Sequence, residues 1–128
     1  MKEFRLRPAE RLKSRQTIQD LFKKGKSFGM YPLRLVYMPI PDIHDSPSFQ
    51  CTISIPKRSF KKAVHRNRIR RQVREAWRLQ KSILFEQIAD RNVSFAFMIL
   101  YTAKEPMPYK EIEKAMKRMI RRFLKIHN

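Results

Sequence analysis

The sequence predicts an α+β fold in which three helices pack against one small mixed sheet. Segments with helical periodicity alternate with short apolar segments, and their order along the 128 residues is α-β-β-α-β-α. Hydrophobic residues make up 42% of the chain, which is enough for one core, and the length is that of one domain. We therefore expect a single domain over residues 1–128.

The first helix is predicted from the capping residue Ser14 to about Lys24, where Gly25 ends it. A strand is predicted over residues 33–38. The proline-rich segment 39–47 that follows is predicted to be a loop, because proline interrupts strand pairing.

Residues 49–55 alternate between apolar and polar side chains, which is typical of a strand buried on one side. Residues 93–101 are almost continuously apolar, as in a central strand covered on both faces. Pro108 opens a last helix with a regular 3.6-residue apolar pattern. The far face of this helix is basic and carries Lys114, Lys117, Arg118, Arg121 and Lys125.

The most informative segment is a basic helix predicted from about Ser59 or Lys62 to about Phe85. Eleven of the twenty-five residues 57–81 are Lys or Arg, against one acid, Glu75. At 100° per residue the apolar positions share one face; they are Ile69, Val73, Ala76, Trp77 and Leu84. The polar positions form a stripe that is predicted to lie opposite; they are Asn67, Arg70, Arg71, Arg74 and Arg78.

This stripe is predicted to bind phosphate. Arginine offers planar, bidentate donors that suit phosphate groups, and like charges spaced at i,i+3 and i,i+4 repel one another unless a polyanion neutralises them. A solvated helix face is the competing interpretation. The net charge of +19 favours nucleic acid as the partner, with an anionic membrane surface second.

The residues do not predict a catalytic or metal site on the protein. The three histidines, His44, His65 and His127, are scattered, and two glycines cannot form a phosphate-binding glycine-rich loop. The lone Cys51 is predicted to be a small buried hydrophobe. The longest apolar run has seven residues and no signal peptide is evident, so we expect a cytoplasmic protein without a membrane span.

Aromatic side chains beside basic ones suggest a second contact surface. Phe22 adjoins Lys23 and Lys24, and Tyr37 lies on the first predicted strand. Such rings stack on the bases of single strands. The pattern alone slightly favours a core position for Phe22, because it follows Ile18 at i+4.

The segment Arg66-Asn67-Arg68-Ile69-Arg70-Arg71 resembles the "RNR" motif of the protein subunit of bacterial ribonuclease P. The resemblance covers roughly residues 5–125. It implies a fold like the second domain of ribosomal protein S5, with a left-handed β-α-β crossover. It also implies a four-stranded sheet, so we expect a further short strand between Gly29 and Phe49 and the order α-β-β-(β)-α-β-α.

The resemblance implies a subunit that binds a catalytic RNA and helps to remove the 5′ leader of precursor tRNA. The RNA and its Mg²⁺ ions would perform the hydrolysis, with no cofactor on the protein and one protein monomer per RNA. The residues implied to bind the catalytic RNA are Arg66, Asn67, Arg68, Arg70, Arg71, Arg74 and Arg78. Those implied to line a leader cleft are Phe22, Tyr37, Lys57 and Arg58.

This sequence departs from the family pattern at three places. Ile18 stands where a second aromatic is common, Lys61-Lys62 replaces the usual Gly-Asn, and Pro56 removes a backbone donor after the strand. Three alternatives stay open: a structural, ribosomal-type RNA-binding protein without a role in cleavage, a protein-only nuclease, and a membrane-surface binder.

Overall fold

The computed structural model describes residues 14–41, 49–88 and 94–127. Its elements are α1 (Arg15–Lys24), β1 (Lys26–Met30), β2 (Leu33–Ile40), β3 (Phe49–Ser54), α2 (Ala63–Ile88), β4 (Ser94–Tyr101) and α3 (Tyr109–Ile126). The predicted α+β class and the order α-β-β-β-α-β-α are confirmed.

The four strands form one mixed sheet in the order β1-β2-β4-β3. The pairs β1/β2 and β2/β4 are antiparallel, and β3/β4 is parallel. Two parallel neighbours need a long crossover connection, and α2 supplies it. The handedness of this β3-α2-β4 unit stays a prediction.

The fourth strand exists, but it is β1, and it begins at Lys26 instead of after Gly29. Residues 26–30 bury only Phe28 fully, so their sequence gives little strand signal. A two-residue turn, Tyr31-Pro32, leads directly into β2, and Met30 pairs with Leu33.

The prediction that Pro39 starts a loop is wrong. β2 continues to Ile40, and Pro39 pairs with Phe95 of β4. The first residue of β1, Lys26, pairs with Tyr37, so β2 has no β1 partner at Pro39 and its edge is open there, where a strand tolerates proline. Pro41 lies beyond the end of β2, and the rest of the predicted loop, residues 42–47, lies outside the described residues.

The predicted ends of α1 are confirmed. The Ser14 hydroxyl accepts a hydrogen bond from the Thr17 amide at 3.2 Å, and the Gly25 amide donates to the Leu21 carbonyl at 3.0 Å. A Cβ on Gly25 would lie 2.8 Å from Val36 Cγ1, so the close approach of α1 to β2 requires glycine there.

α2 and α3 cover one face of the sheet. Phe97 of β4 is central to this layer, because its ring contacts Phe49, Trp77 and Phe123 at centroid distances of 5.0, 5.7 and 4.8 Å. The predicted apolar face of α2 is fully buried here, and it comprises Ile69, Val73, Ala76, Trp77 and Leu84.

α1 packs on the other face of the sheet over a smaller cluster. Leu21 contributes from the helix, Val36 from β2, and Ala96 and Met98 from β4. Since side chains alternate along a strand, the neighbours of Phe97 point towards α1. The sheet therefore separates two layers of different composition.

Trp77 provides a test of this packing. Its indole nitrogen is buried and has no hydrogen-bond partner among the described residues. Trp77→Ala should cost about 3–5 kcal/mol, whereas Trp77→Phe should cost less than about 2 kcal/mol, because it keeps a ring against Phe97 and removes an unsatisfied donor. Urea unfolding followed by circular dichroism measures both. Equal costs would contradict this packing, because they would show that a ring at position 77 contributes nothing against Phe97.

Candidate nucleic-acid interface

The predicted stripe on α2 is only partly open to solvent. Four of the seven α2 residues implied to bind RNA are exposed, namely Asn67, Arg68, Arg71 and Arg74, and the other three are partly buried, namely Arg66, Arg70 and Arg78. Arg70 and Arg78 directly follow the buried residues Ile69 and Trp77. The stripe thus begins at the border of the buried face instead of lying wholly opposite to it.

Arg66 is engaged by the chain itself. Its Nη1 donates to the carbonyl oxygens of Phe60 and Lys61, at 2.7 and 2.9 Å. These bonds fix the loop that leads into α2, where Phe60 is buried. Only the other donors of the Arg66 guanidinium are left for a ligand.

Asn67 and Arg70 are joined within the helix. Arg70 Nη1 donates to Asn67 Oδ1 at 3.2 Å. This bond orients the Asn67 amide so that its NH₂ group points away from Arg70, and it steadies the Arg70 side chain. The pair presents nitrogen donors, as a phosphate site requires.

Arg78 is neutralised by Glu75, which the sequence analysis did not foresee. Arg78 Nε donates to Glu75 Oε2 at 2.9 Å, and a second bond joins Arg78 Nη2 to Glu75 Oε1. The hydrogen bond from Arg78 lowers the pKa of Glu75, and the same bond raises the pKa of Arg78. The solvent-exposed positive charge of α2 therefore lies in the first half of the helix.

A small cavity lies where α2 meets the start of α3. Arg71, Gln72, Glu75 and Tyr109 line it, and the Tyr109 hydroxyl is buried without a hydrogen-bond partner in the described structure. Burial, followed by the charges of Glu113 and Glu75, raises the pKa of Tyr109. The Tyr109 hydroxyl is thus neutral at physiological pH.

Phe22 lies on the solvent side of α1. Its side chain is 67% exposed, whereas Leu21 beside it is 1% exposed and fills the core position. The core position that periodicity slightly favoured for Phe22 is wrong. Lys23, Lys24 and Lys26 are exposed around it, so an aromatic ring stands in a basic surface.

Tyr37 does not share a surface with Phe22. It is 5% exposed, and its ring makes edge contacts with Phe28, Phe123 and His127 at 5.1–6.2 Å. Those contacts lie on the α3 face of the sheet, and α1 is on the other. The expectation that Tyr37 lines one cleft with Phe22 is wrong, because strand alternation turns its buried ring into the core.

The α1 side of the sheet is lined by different residues. Val36 and Met38 of β2 pack in the smaller hydrophobic cluster beneath α1, which we call the α1 cluster. In β3, three half-buried polar residues pair in register with Ala96, Met98 and Leu100 and share their face; they are Gln50, Thr52 and Ser54. We call these three residues the polar floor. The alternating pattern of residues 49–55 already separated them from the buried positions.

Lys57 and Arg58 lie in an exposed turn after β3. Arg58 lines a cavity at the ends of β3 and β4, together with Ser59, Leu100, Thr102 and Lys104. Leu100 also packs in the α1 cluster. This cavity therefore adjoins the α1 side of the sheet and adds two cations to it.

The described residues contain no cluster of three or more His, Cys, Asp or Glu side chains placed to hold a metal ion. Cys51 is 4% exposed and packs in the core, as predicted. Among the helices in the described ranges, none combines the length and the apolar composition needed to cross a membrane.

Comparisons with known proteins agree with the motif on α2. A family model described as Ribonuclease P matches residues 6–124. The chain is 34% identical over 117 residues to the ribonuclease P protein component of Porphyromonas gingivalis, covering 91% of this chain and 85% of that protein. It is 33% identical over 115 residues to that of Borrelia hermsii, covering 85% and 87%.

Solved structures show the same fold. The ribonuclease P protein from Thermotoga maritima superposes with a TM-score of 0.68 at 20% identity, covering 88% of this chain and 96% of that one. The protein from Staphylococcus aureus gives 0.63 at 24% identity, covering 93% and 98%. The chain belongs to the ribonuclease P protein family, whose members take part in tRNA processing.

Proposed function

We propose that this chain binds the catalytic RNA of ribonuclease P through α2 and the 5′ leader of precursor tRNA through the α1 side of the sheet. One observation carries the first half. Because the apolar face of α2 is buried in the core, the orientation of the helix is fixed. Four polar residues are exposed in that orientation, namely Asn67, Arg68, Arg71 and Arg74. Within the described chain Arg68, Arg71 and Arg74 make no ion pair, since Glu75 is taken by Arg78.

The exposed arginines would act by neutralising RNA phosphates. Each guanidinium offers paired donors that match phosphate oxygens, and binding would release counterions from the RNA. Arg66 and Arg70 would contribute their remaining donors, and their internal hydrogen bonds fix where those donors point.

The leader would lie on the α1 side, over the polar floor and beside Phe22. The exposed Phe22 ring supplies a stacking surface, and the hydroxyl and amide groups of the polar floor supply hydrogen bonds to bases or sugars. Lys57, Arg58 and Lys104 supply positive charge at the strand ends. Contacts to the leader are absent in the product, so they favour substrate over product.

We assign hydrolysis of the phosphodiester bond to the RNA subunit and its Mg²⁺ ions. The protein would form a 1:1 complex as a monomer and would carry no cofactor. Its own contribution is to hold substrate and to lower the repulsion between two RNAs. Glu75, the one acid within residues 57–81, is held by Arg78 and is not free to act as a base.

The direct experiment is cleavage of a 5′-extended precursor tRNA at low Mg²⁺ by the protein, by a bacterial ribonuclease P RNA, and by both. We expect rapid cleavage only with both components. Cleavage by the protein alone would establish a protein nuclease. Tight RNA binding with no effect on the cleavage rate would establish a structural RNA-binding protein instead.

Arg70→Ala with Arg71→Ala should weaken binding to the catalytic RNA by about 2–4 kcal/mol, because two charged hydrogen-bonding groups are lost. Arg70→Lys with Arg71→Lys is the matched control, since it keeps both charges and removes the forked donors. We expect the lysine variant to lose less, with an unchanged salt dependence. Filter binding across a salt series measures both. Wild-type affinity in the alanine variant would contradict the assignment of α2.

Phe22→Leu should weaken the binding of leader-bearing precursor tRNA to the holoenzyme by about 1–3 kcal/mol, which is the range for loss of one stacked base. Binding of mature tRNA should not change. Because Phe22 is exposed, stability should change by less than about 0.5 kcal/mol.

Ile83→Ala is the control for Phe22→Leu. Ile83 is also an exposed apolar side chain, at 42%, but it lies on α2, which covers the face of the sheet opposite to α1. We expect it to bind precursor tRNA like the wild type. An equal loss in both variants would mean that Phe22 has no specific stacking role.

A further inference from the structure

We propose that the outer face of α3 is a second RNA-binding surface, which grips the phosphate backbone of a helix of the catalytic RNA. Six exposed cations form this surface, which we call the α3 stripe: Lys110, Lys114, Lys117, Arg118, Arg121 and Lys125. The proposal rests on the proposed function for the identity of its partner, and it concerns residues outside the RNR segment.

The packing of α3 determines the direction in which the α3 stripe faces. Its buried residues lie against the sheet and α2, and they are Ile112, Ala115, Met116, Met119, Ile120 and Phe123. One flank of α3 meets α2 through Tyr109, and the other meets β1, where Arg122 lies 4.8 Å above the Phe28 ring. The cations occupy the remaining side, which points away from the protein.

Internal pairing does not explain the α3 stripe. Glu111 and Glu113 have the spacing for pairs with Lys114 and Lys117, yet over residues 109–127 the structure forms no such ion pair. Arg122, in contrast, is used within the fold. The six cations are thus left for an external anion.

The helix dipole does not explain the α3 stripe either. Cations stabilise a helix near its C-terminus, which accounts for Lys125 and in part for Arg121. Lys110 lies in the first turn, where a positive charge opposes the dipole, and Lys114 and Lys117 lie too far from either end for the dipole to favour them. Repulsion along the stripe therefore costs stability in the free protein, and a polyanion would remove that cost.

The dimensions suit a nucleic-acid backbone. From Lys110 to Lys125 the stripe runs for about 22 Å at 1.5 Å per residue. A row of cations of that length spans several successive phosphates of one strand. A single small anion would occupy only one or two of the six side chains.

The position of α3 selects the catalytic RNA over the leader. α3 and α2 both pack on Phe97 and share one face of the sheet. Phe22 and the polar floor lie on the other face. An RNA bound along α2 is on the same side as the α3 stripe, so one large RNA reaches both helices.

The test is a triple variant, Lys114→Gln, Lys117→Gln and Arg121→Gln, compared with the wild type for binding to the catalytic RNA alone across a salt series. We expect at least a tenfold loss of affinity at about 0.15 M salt and a log–log salt slope that is smaller by about 2–3, for three lost phosphate contacts. Binding of a single-stranded leader oligonucleotide should not change. Glutamine preserves helix propensity, and circular dichroism verifies folding.

The matched control removes the same charge from the α1 side: Lys23→Gln, Lys24→Gln and Lys26→Gln, all exposed in the wild type. We expect it to bind the catalytic RNA with a slope within about one of the wild type. An equal loss in both triple variants would overturn the proposal, because the effect would then reflect net charge alone.

Failure of this proposal is separable from failure of the proposed function. If Arg70→Ala with Arg71→Ala weakens RNA binding and the α3 variant does not, the α3 stripe is a solvated surface and the function of α2 stands. If neither variant weakens binding, both proposals fall. If the α3 variant binds the catalytic RNA like the wild type but no longer co-sediments with phosphatidylserine-rich vesicles as the wild type does, the proposal is wrong and the α3 stripe binds a membrane surface instead.

Discussion

The packing of α2 against Phe97 is the constraint on which the rest of this structure depends. Trp77 and its neighbours on the apolar face are fully buried, so the helix cannot rotate without exposing them. That fixed rotation holds Arg68, Arg71 and Arg74 in solvent. The same contact places α2 across the parallel pair of strands β3 and β4, and so the core determines the direction in which the basic surface points.

The sheet divides the molecule into two sides with different chemistry. On one side, two basic helices lie together and offer arginine and lysine to a phosphate backbone. On the other, a single helix leaves part of the sheet open, with polar side chains and an exposed ring suited to unpaired bases. Large RNA on one side and single-stranded RNA on the other would let one small protein hold two partners without competition.

The sequence predicted the features that depend on local pattern. The cap at Ser14, the buried face of α2 and the order of six of the seven elements follow from periodicity and composition, and the structure confirms them; a fourth strand was expected only from the family resemblance. The sequence-based predictions were wrong where contacts between distant parts of the chain determine the position of a residue. Pro39 is tolerated in β2 because it has no β1 partner on that edge, and Tyr37 is a core residue because α3 covers it. The Glu75–Arg78 pair has the i,i+3 spacing of a helical ion pair, and this spacing is the sequence signal from which it is predictable.

The measurement that tests the separation of the two sides most directly is site-directed hydroxyl-radical probing of the assembled holoenzyme with precursor tRNA. The only native cysteine, Cys51, is buried, so a cleaving iron chelate can be attached at single introduced cysteines in place of exposed residues. From Gln19→Cys on α1 we predict cleavage of the leader, and from Leu79→Cys on α2, which replaces an exposed residue with no assigned RNA contact, cleavage of the catalytic RNA. Cleavage of the same RNA segment from both positions would contradict the account.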